Sequence, residues 1–357
     1  MWRYLPLLPV SDPGLLATPL RRAGWTPIYA LPALAQELGL DQVWIKDEGV
    51  NPTASFKDRA SALVVVRASE IGASVIVTAS TGNAGAALAG MAAAAGASAV
   101  IFAPAKALPA KVAQLLIYGA RVFLIKGSYD DAVLLSQQAA EDFGWYCRNT
   151  AYNPFTIEGK KTAAYEMWEQ LIADGHSPDA IFVPVGDGNI ISGIHKGLRE
   201  LHQLGWIERI PAIYGVQAEG AASIANAFLN QSETIEAVRA NTLADGIAVD
   251  LPNDGYRALR AVTETGGAYL KVSDTEILSA VQRLGLAGIF AEPAGAAAFA
   301  GLRKALREVQ ITADQRVLVL NTGSGLKDIG AALRAVGEAP VIEANLTALK
   351  RAMEVID

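Results

Sequence analysis

No charged residue occurs between Glu70 and Lys106. A stretch of that length without charge belongs either in a lipid bilayer or in a protein interior. A membrane span wants roughly 20 continuous apolar residues. This run is broken by Ser80, Thr81, Gly82, Asn83, Gly85, Gly90 and Gly96. It reads instead as strand, polar loop, Ala-rich helix and strand, all buried in a soluble core, and a membrane is excluded as a partner. Buried strands linked through a helix are the unit of a parallel sheet, so this segment alone asks for an α/β fold.

The same alternation runs along the chain. Strands are predicted at Val43–Lys46, Ser74–Ala79, Ser98–Ala103, Arg121–Ile125, Ala180–Val185, Ile213–Gln217 and Arg316–Leu320. Helices are predicted at Asp58–Ile71, Ala84–Ala95, Pro109–Tyr118, Asp130–Phe143, Ile157–Ala173, Ile190–Leu204, Thr275–Leu284 and Ala294–Leu306, with a surface helix within Ile342–Asp357. The region Asn230–Gly267 has the least regular pattern.

A chain of 357 residues exceeds what one core usually serves, so two open twisted parallel-sheet domains are expected. The turn at Tyr152-Asn153-Pro154 marks a crossing between them. The expected division is 1–58 plus 152–357 as a large domain and 59–151 as a smaller one that closes over its ligand. The net charge is −6, and without a basic run nucleic acid is excluded as a partner. Cys147 is the only cysteine; no intrachain disulfide can form, and a cytoplasmic location is expected. His176, His195 and His202 lack metal-ligand spacing, so no metal site is expected.

Polar loops recur where strands end. In Asn51-Pro52-Thr53-Ala54-Ser55-Phe56-Lys57-Asp58-Arg59, Ser55 and Asp58 are spaced as a capping box. That predicts a helix start at Ser55 and places Lys57 in the first turn. The exposed N–H groups there disfavour an ammonium, which makes the amine a better nucleophile. Ser80, Thr81, Gly82 and Asn83 follow the second predicted strand, where first-turn N–H groups suit a substrate carboxylate. Gly186-Asp187-Gly188-Asn189-Ile190 repeats the arrangement with two glycines, which let backbone amides approach a phosphate. Asp187 would repel that anion unless its carboxylate turns away. Thr322, after the last predicted strand, offers a hydroxyl at another strand end. Taken singly, each loop reads equally as a cap or a tight turn.

Together they resemble the pyridoxal-phosphate enzymes of the tryptophan-synthase-β type, and the threonine synthase and serine/threonine dehydratase families in particular. The resemblance is carried by Asn-Pro-Thr-Ala-Ser-Phe-Lys-Asp-Arg at 51–59, Ser-Thr-Gly-Asn at 80–83, Glu-Pro-Ala-Gly at 292–295 and Thr-Gly-Ser-Gly-Leu-Lys-Asp at 322–328. It spans about Trp25 to Asp328. It implies a tryptophan-synthase-β-like fold, pyridoxal 5'-phosphate as cofactor, an amino-acid substrate and a homodimer. By position, Lys57 would condense with the cofactor's aldehyde and shuttle protons, with Phe56 against the ring and Asn83 on its phenolic oxygen. Gly186, Asp187, Gly188, Asn189 and Ile190 would cradle the phosphate, and Thr322 would face the pyridine nitrogen. Ser80, Thr81, Gly82, Asn149 and Thr150 would contact the substrate.

Two departures bear on the substrate. The threonine synthase pattern has an arginine just before Ile-Glu-Gly to grip the substrate's phosphate; here Thr156 precedes Ile157-Glu158-Gly159. Charge-assisted bonds are about twice as strong as neutral ones, so Arg148, Lys160 or Lys111 would have to compensate. The segment Thr242–Val249 is closer to the dehydratases. The leading expectation is conversion of O-phosphohomoserine and water to threonine and phosphate. The alternative is β-elimination or β-replacement on serine, threonine or another amino acid. A non-catalytic nucleotide- or phosphate-binding α/β protein would explain the glycine loops but leave Lys57 and Thr322 without a role.

Overall fold

The structure is a computed structural model describing residues 1–14, 17–107 and 109–356. From the N-terminus, β1 (Ile28–Ala30), α1 (Pro32–Leu38) and β2 (Gln42–Asp47) precede α2 (Lys57–Glu70). A second series follows: β3 (Val75–Ala79), α3 (Asn83–Ala95), β4 (Ser98–Pro104), α4 (Pro109–Ile117), β5 (Arg121–Ile125), α5 (Tyr129–Phe143) and β6 (Tyr146–Cys147). The chain then builds α6 (Phe155–Gln170), β7 (Ala180–Pro184), α7 (Asn189–Gln203), β8 (Ala212–Ala218), α8 (Ser223–Leu229) and α9 (Gly255–Thr265). It ends with β9 (Tyr269–Val272), α10 (Asp274–Leu286), α11 (Pro293–Arg307), β10 (Arg316–Asn321), α12 (Ile329–Val336) and α13 (Leu346–Ile356). Each predicted strand is present within about a residue, and the surface helix at the C-terminus is α13; Asp357 lies outside the described residues.

Two sheets form. One has six strands in the order β1-β2-β10-β7-β8-β9, the other four in the order β5-β4-β3-β6. All pairs are parallel except β1 with β2. The strands are apolar on both sides because both faces are covered. Val317 and Val319 of β10 pack into the cluster under α10 and α11, whereas Leu318 and Leu320 join Ile181 and Val183 under α6 and α7. In the smaller sheet Ile76 and Ile101 pack on α2 and α3, and Val77, Val100 and Phe102 pack on α5. Trp2, Leu8 and Leu20 of the N-terminal segment also pack into the α2–α3 cluster.

Helix α6 lies between α2 and α7, and glycines set the spacing. A Cβ on Gly159 would overlap the carbonyl oxygen of Arg59, and one on Gly193 would stand 2.7 Å from Lys160 Cβ. These helices touch backbone to backbone, and larger residues would separate them.

Helix α2 is also pinned electrostatically. The Arg59 guanidinium is fully buried; it donates to Glu48 through Nε (2.8 Å) and Nη2 (2.7 Å) and to Glu166 through Nη1 and Nη2 (2.6 Å each). Lys46 Nζ donates to Glu166 Oε2 at 2.8 Å. Burial opposes these charges, but the Glu166 and Glu48 carboxylates keep the guanidinium protonated, and Arg59 with Lys46 hold the Glu166 carboxyl well below its ordinary value. This one network ties β2, α2 and α6 together.

Candidate active site

The carboxyl ends of β2, β3, β7 and β10 converge, and the loops that follow enclose a cavity of about 750 Å³. Its wall includes Lys57, Ser80, Thr81, Gly82, Thr150, Lys160, Gly186 to Ile191 and Thr322. Such a crevice at strand ends is where open α/β sheets bind ligands.

Lys57 opens α2, but the expected capping box does not form. The Asp58 carboxylate turns back to the Thr53 amide (2.6 Å) and the Thr53 hydroxyl, Phe56 occupies the cap position without a side-chain cap, and Ser55 Oγ has no partner among the described residues. The helix therefore starts two residues later than Ser55. Phe56 N–H donates to the Thr322 carbonyl at 2.9 Å, which fastens the lysine loop to the end of β10. Phe56 itself is fully buried in the cluster of Ile181, Val183 and Leu320. The Lys57 ammonium is held down to about 8, chiefly by burial; the Glu292 carboxylate opposes this and the Arg148 guanidinium adds to it. Burial, more than the helix end, makes this amine nucleophilic.

Opposite stands the first turn of α7. Gly188, at φ +87°, is its N-cap and offers no side-chain cap, so the first N–H groups are free for an anion. The Asp187 carboxylate turns onto the Asn253 backbone N–H (2.7 Å) and side-chain amide (3.2 Å), which moves its charge off the front of the loop. Ile190 and Asn189 are both buried there. Thr322 lines the cavity, and its hydroxyl makes no hydrogen bond among the described residues.

The substrate-side residues divide. Ser80, Thr81, Gly82 and Thr150 face the cavity. Asn149 is spent on the fold: its Oδ1 accepts from the Thr78 hydroxyl (3.0 Å) and the Ala79 amide (2.9 Å), and its Nδ2 donates to Ser136 (2.8 Å). Asn83 lines a neighbouring pocket with Lys111 and Lys327 and donates to Glu292 Oε1 at 2.7 Å. Tyr129, at the start of α5, also reaches the cavity wall. Sequence reading passed over it because a tyrosine beside a helix start carries no spacing signal.

These residues fit a phosphorylated aldehyde. A buried amine of lowered pKa faces an uncapped helix start built on glycines, and a neutral hydroxyl waits at a third strand end. Among the described residues no cluster of His, Cys, Asp or Glu could hold a metal ion, and no helix is long and apolar enough to cross a membrane.

Residues 20–323 match the family described as pyridoxal-phosphate dependent enzyme. The chain is 40% identical over 357 residues to a threonine synthase of Methanocaldococcus jannaschii, covering 99% of this chain and 87% of that one. It is 38% identical over 356 residues to a threonine synthase of Methanosarcina acetivorans, covering 99% and 86%. Among solved structures it is similar to the processed form of threonine deaminase isoform 2 from Solanum lycopersicum, with a TM-score of 0.77, 23% identity and 92% of each chain covered. It is also similar to diaminopropionate ammonia lyase from Escherichia coli in complex with an aminoacrylate–PLP azomethine intermediate, with a TM-score of 0.76, 21% identity and 93% of each chain covered.

Proposed function

The chain belongs to the pyridoxal-phosphate-dependent enzymes, and from that premise we propose that it is a threonine-synthase-like lyase converting O-phosphohomoserine and water to threonine and phosphate. The observation that carries this reading is the Lys57 amine, activated by burial, facing the free first turn of α7 across one cavity. Near-complete coverage by two threonine synthases at 38% to 40% identity supports the choice of reaction.

Bound pyridoxal phosphate supplies the electron sink for charge left at the substrate α-carbon. Its phosphate would be held by the N–H groups of Gly186 to Ile190, with Lys57 as its covalent anchor and Thr322 at the ring nitrogen. A hydroxyl cannot keep that nitrogen protonated as a carboxylate would, which favours elimination and replacement over transamination. Lys57 Nζ, within the same cavity, would remove the substrate's α-proton and return protons later. Helix α3 begins at Asn83 without a side-chain cap, and its first-turn N–H groups orient the substrate carboxylate. Segment 59–151 would close over the cavity and exclude water; an ion pair of Lys111 on α4 with Asp245, a residue on the cavity wall, already joins that segment to the rest of the chain.

Thr156 in place of the family arginine favours a second reading, loss of the β-substituent from serine or threonine to give a 2-oxo acid and ammonia. Incubating the holoenzyme with each amino acid separates the two. Threonine and phosphate from O-phosphohomoserine support the first reading. No product at high enzyme loading, with ammonia from serine or threonine, replaces it with the second.

The protein would work as a cytoplasmic homodimer. The single cysteine, Cys147, is buried as a free thiol, as suits a reducing compartment. Leu333, Val336, Leu346, Leu349 and Met353 expose apolar surface on α12 and α13, as suits a second copy. Light scattering giving a monomer at micromolar concentration would refute the dimer.

A further inference from the structure

We propose that Lys160 is the cation that receives the substrate's phosphate, in place of the arginine absent at position 156; this rests on the reading above. Positions 156 and 160 lie one turn apart on the same face of α6. Both side chains reach the same acceptor: Thr156 Oγ1 lies 3.4 Å from Asn189 Oδ1, and Lys160 Nζ donates to that oxygen. Charge placed at 160 is therefore delivered where a side chain at 156 points. Lys160 is rooted where α6 meets α7, with Gly193 leaving just enough room for its Cβ.

The buried cations around the pocket also lack carboxylate partners. Among the described residues Lys57, Lys160 and Arg148 make no ion pair, and the fully buried Arg148 Nη2 has no hydrogen-bond partner. Arg148 spends its other donors on neutral hydroxyls, Ser61 (3.2 Å) and Thr150 (3.0 Å). Most carboxylates nearby are engaged elsewhere: Asp187 by Asn253, Asp245 by Lys111, Asp250 by the Ala240 amide, Asp254 by Arg257 and Asn189, and Glu292 by Asn83, while Asp130 lies on the wall at the start of α5. Burial and the neighbouring Lys57 and Arg148 charges push the Lys160 ammonium well below its ordinary value. Unpaired buried cations are costly, and a bound anion relieves that cost. The first turn of α7 serves one phosphate, the cofactor's. Lys160, bonded to Asn189 from α6 and sharing the cavity wall with Thr150, serves a second.

The test uses the cofactor-loaded enzyme and the variants Lys160→Gln and Lys160→Gln/Thr156→Arg. Three quantities are read: cofactor dissociation, inorganic phosphate binding followed by cofactor fluorescence, and KM with kcat for O-phosphohomoserine. Losing a hydrogen bond to a charged group corresponds to roughly 10- to 100-fold. Lys160→Gln should weaken phosphate binding and lower kcat/KM by about that factor, through a raised KM and a slower departure of phosphate, with cofactor affinity within about 3-fold. Arginine at 156 should recover most of the loss. Cofactor affinity falling while phosphate binding and KM stay put would overturn the proposal and assign Lys160 to the cofactor's own phosphate. No change in any of the three would also overturn it. If the wild type makes no threonine but Lys160→Gln still weakens phosphate binding, the anion subsite stands and the proposed reaction falls.

Discussion

Replacing Arg59 with methionine keeps most of the side-chain volume and removes the charge at the centre of the network beneath Lys57. Four charge-assisted bonds to Glu48 and Glu166 disappear, at 2.6 to 2.8 Å in the native protein. Taken singly, such bonds contribute about 1.5–3 kcal/mol each, but both carboxylates keep other donors. Glu166 retains Lys46 and the Trp25 amide, and Glu48 retains the Thr26 hydroxyl and Asn51 amide. The net loss should therefore fall near the value for breaking one buried pair, about 4 kcal/mol. Its pH dependence has a definite sign. In the native protein the Glu166 carboxyl is lowered, so its contribution is present above the ordinary glutamate value of about 4.3 and fades as pH falls through the folded value. Without Arg59, burial, already the largest single influence on this carboxyl, is opposed by less positive charge, and the carboxyl rises from its lowered value. The stabilisation it adds above the ordinary value is correspondingly smaller, and the difference disappears once the carboxyl is protonated in both proteins. The gap between variant and wild type should be larger between pH 5 and pH 8 than at more acid pH. Urea unfolding of the holoenzyme, followed by circular dichroism and cofactor absorbance, measures it, and Arg59→Met/Glu48→Gln should recover at least about 1 kcal/mol. A variant within about 1 kcal/mol of wild type throughout that range would refute the account of how α2 is held.

Other expectations follow from the same geometry. Borohydride reduction of the loaded enzyme and peptide mapping should place the label on Lys57, and Lys57→Ala should take no label and show no turnover. The rate of cofactor loading onto the apoenzyme should climb with pH up to about 8 and level off, because the neutral amine reacts. Arg148→Met should raise the amine's pKa and slow loading several-fold at pH 7.5; an unchanged profile would show that Arg148 does not act on Lys57. Gly159→Ala should cost roughly 1–3 kcal/mol by wedging α6 from α2 and should weaken cofactor binding. Gly285→Ala on α10, where a new methyl meets nothing, should be neutral or stabilising by up to about 1 kcal/mol.

The parallel sheets were legible because strands buried on both faces are written as unbroken apolar runs, as in Val317–Leu320. Strand β1 was not, since three residues after Pro27 form an antiparallel edge with little burial. Helix α9 was missed within Asn230–Gly267, although Ala258, Leu259, Ala261 and Val262 give it a buried stripe. The chain before it is fixed by long-range bonds such as Val238 N–H to Asp250 and Asn241 N–H to Gly220, which leave no local pattern. At the site, Lys57 and the Gly186–Ile190 loop were readable as motifs. Asn149 matched a substrate position by sequence, and its side chain bonds to Thr78 and Ala79 of β3 and to Ser136 of α5, contacts that spacing does not reveal. The capping box failed because Thr53 competes for Asp58 from upstream, a contact that spacing cannot reveal. Lys160 could be named only as a possible substitute, since what places it is the crossing of α6 over α7.

That crossing has a consequence for how such a chain can change its chemistry. Where only glycine hydrogens separate three helices, none can slide or tilt without collision, so the anchoring amine and the phosphate-binding turn stay at a set separation. Variation is confined to what each position projects into the void. An ionic grip can migrate along α6 in steps of one helical pitch, or be withdrawn altogether, while the reaction machinery on either side stays in place.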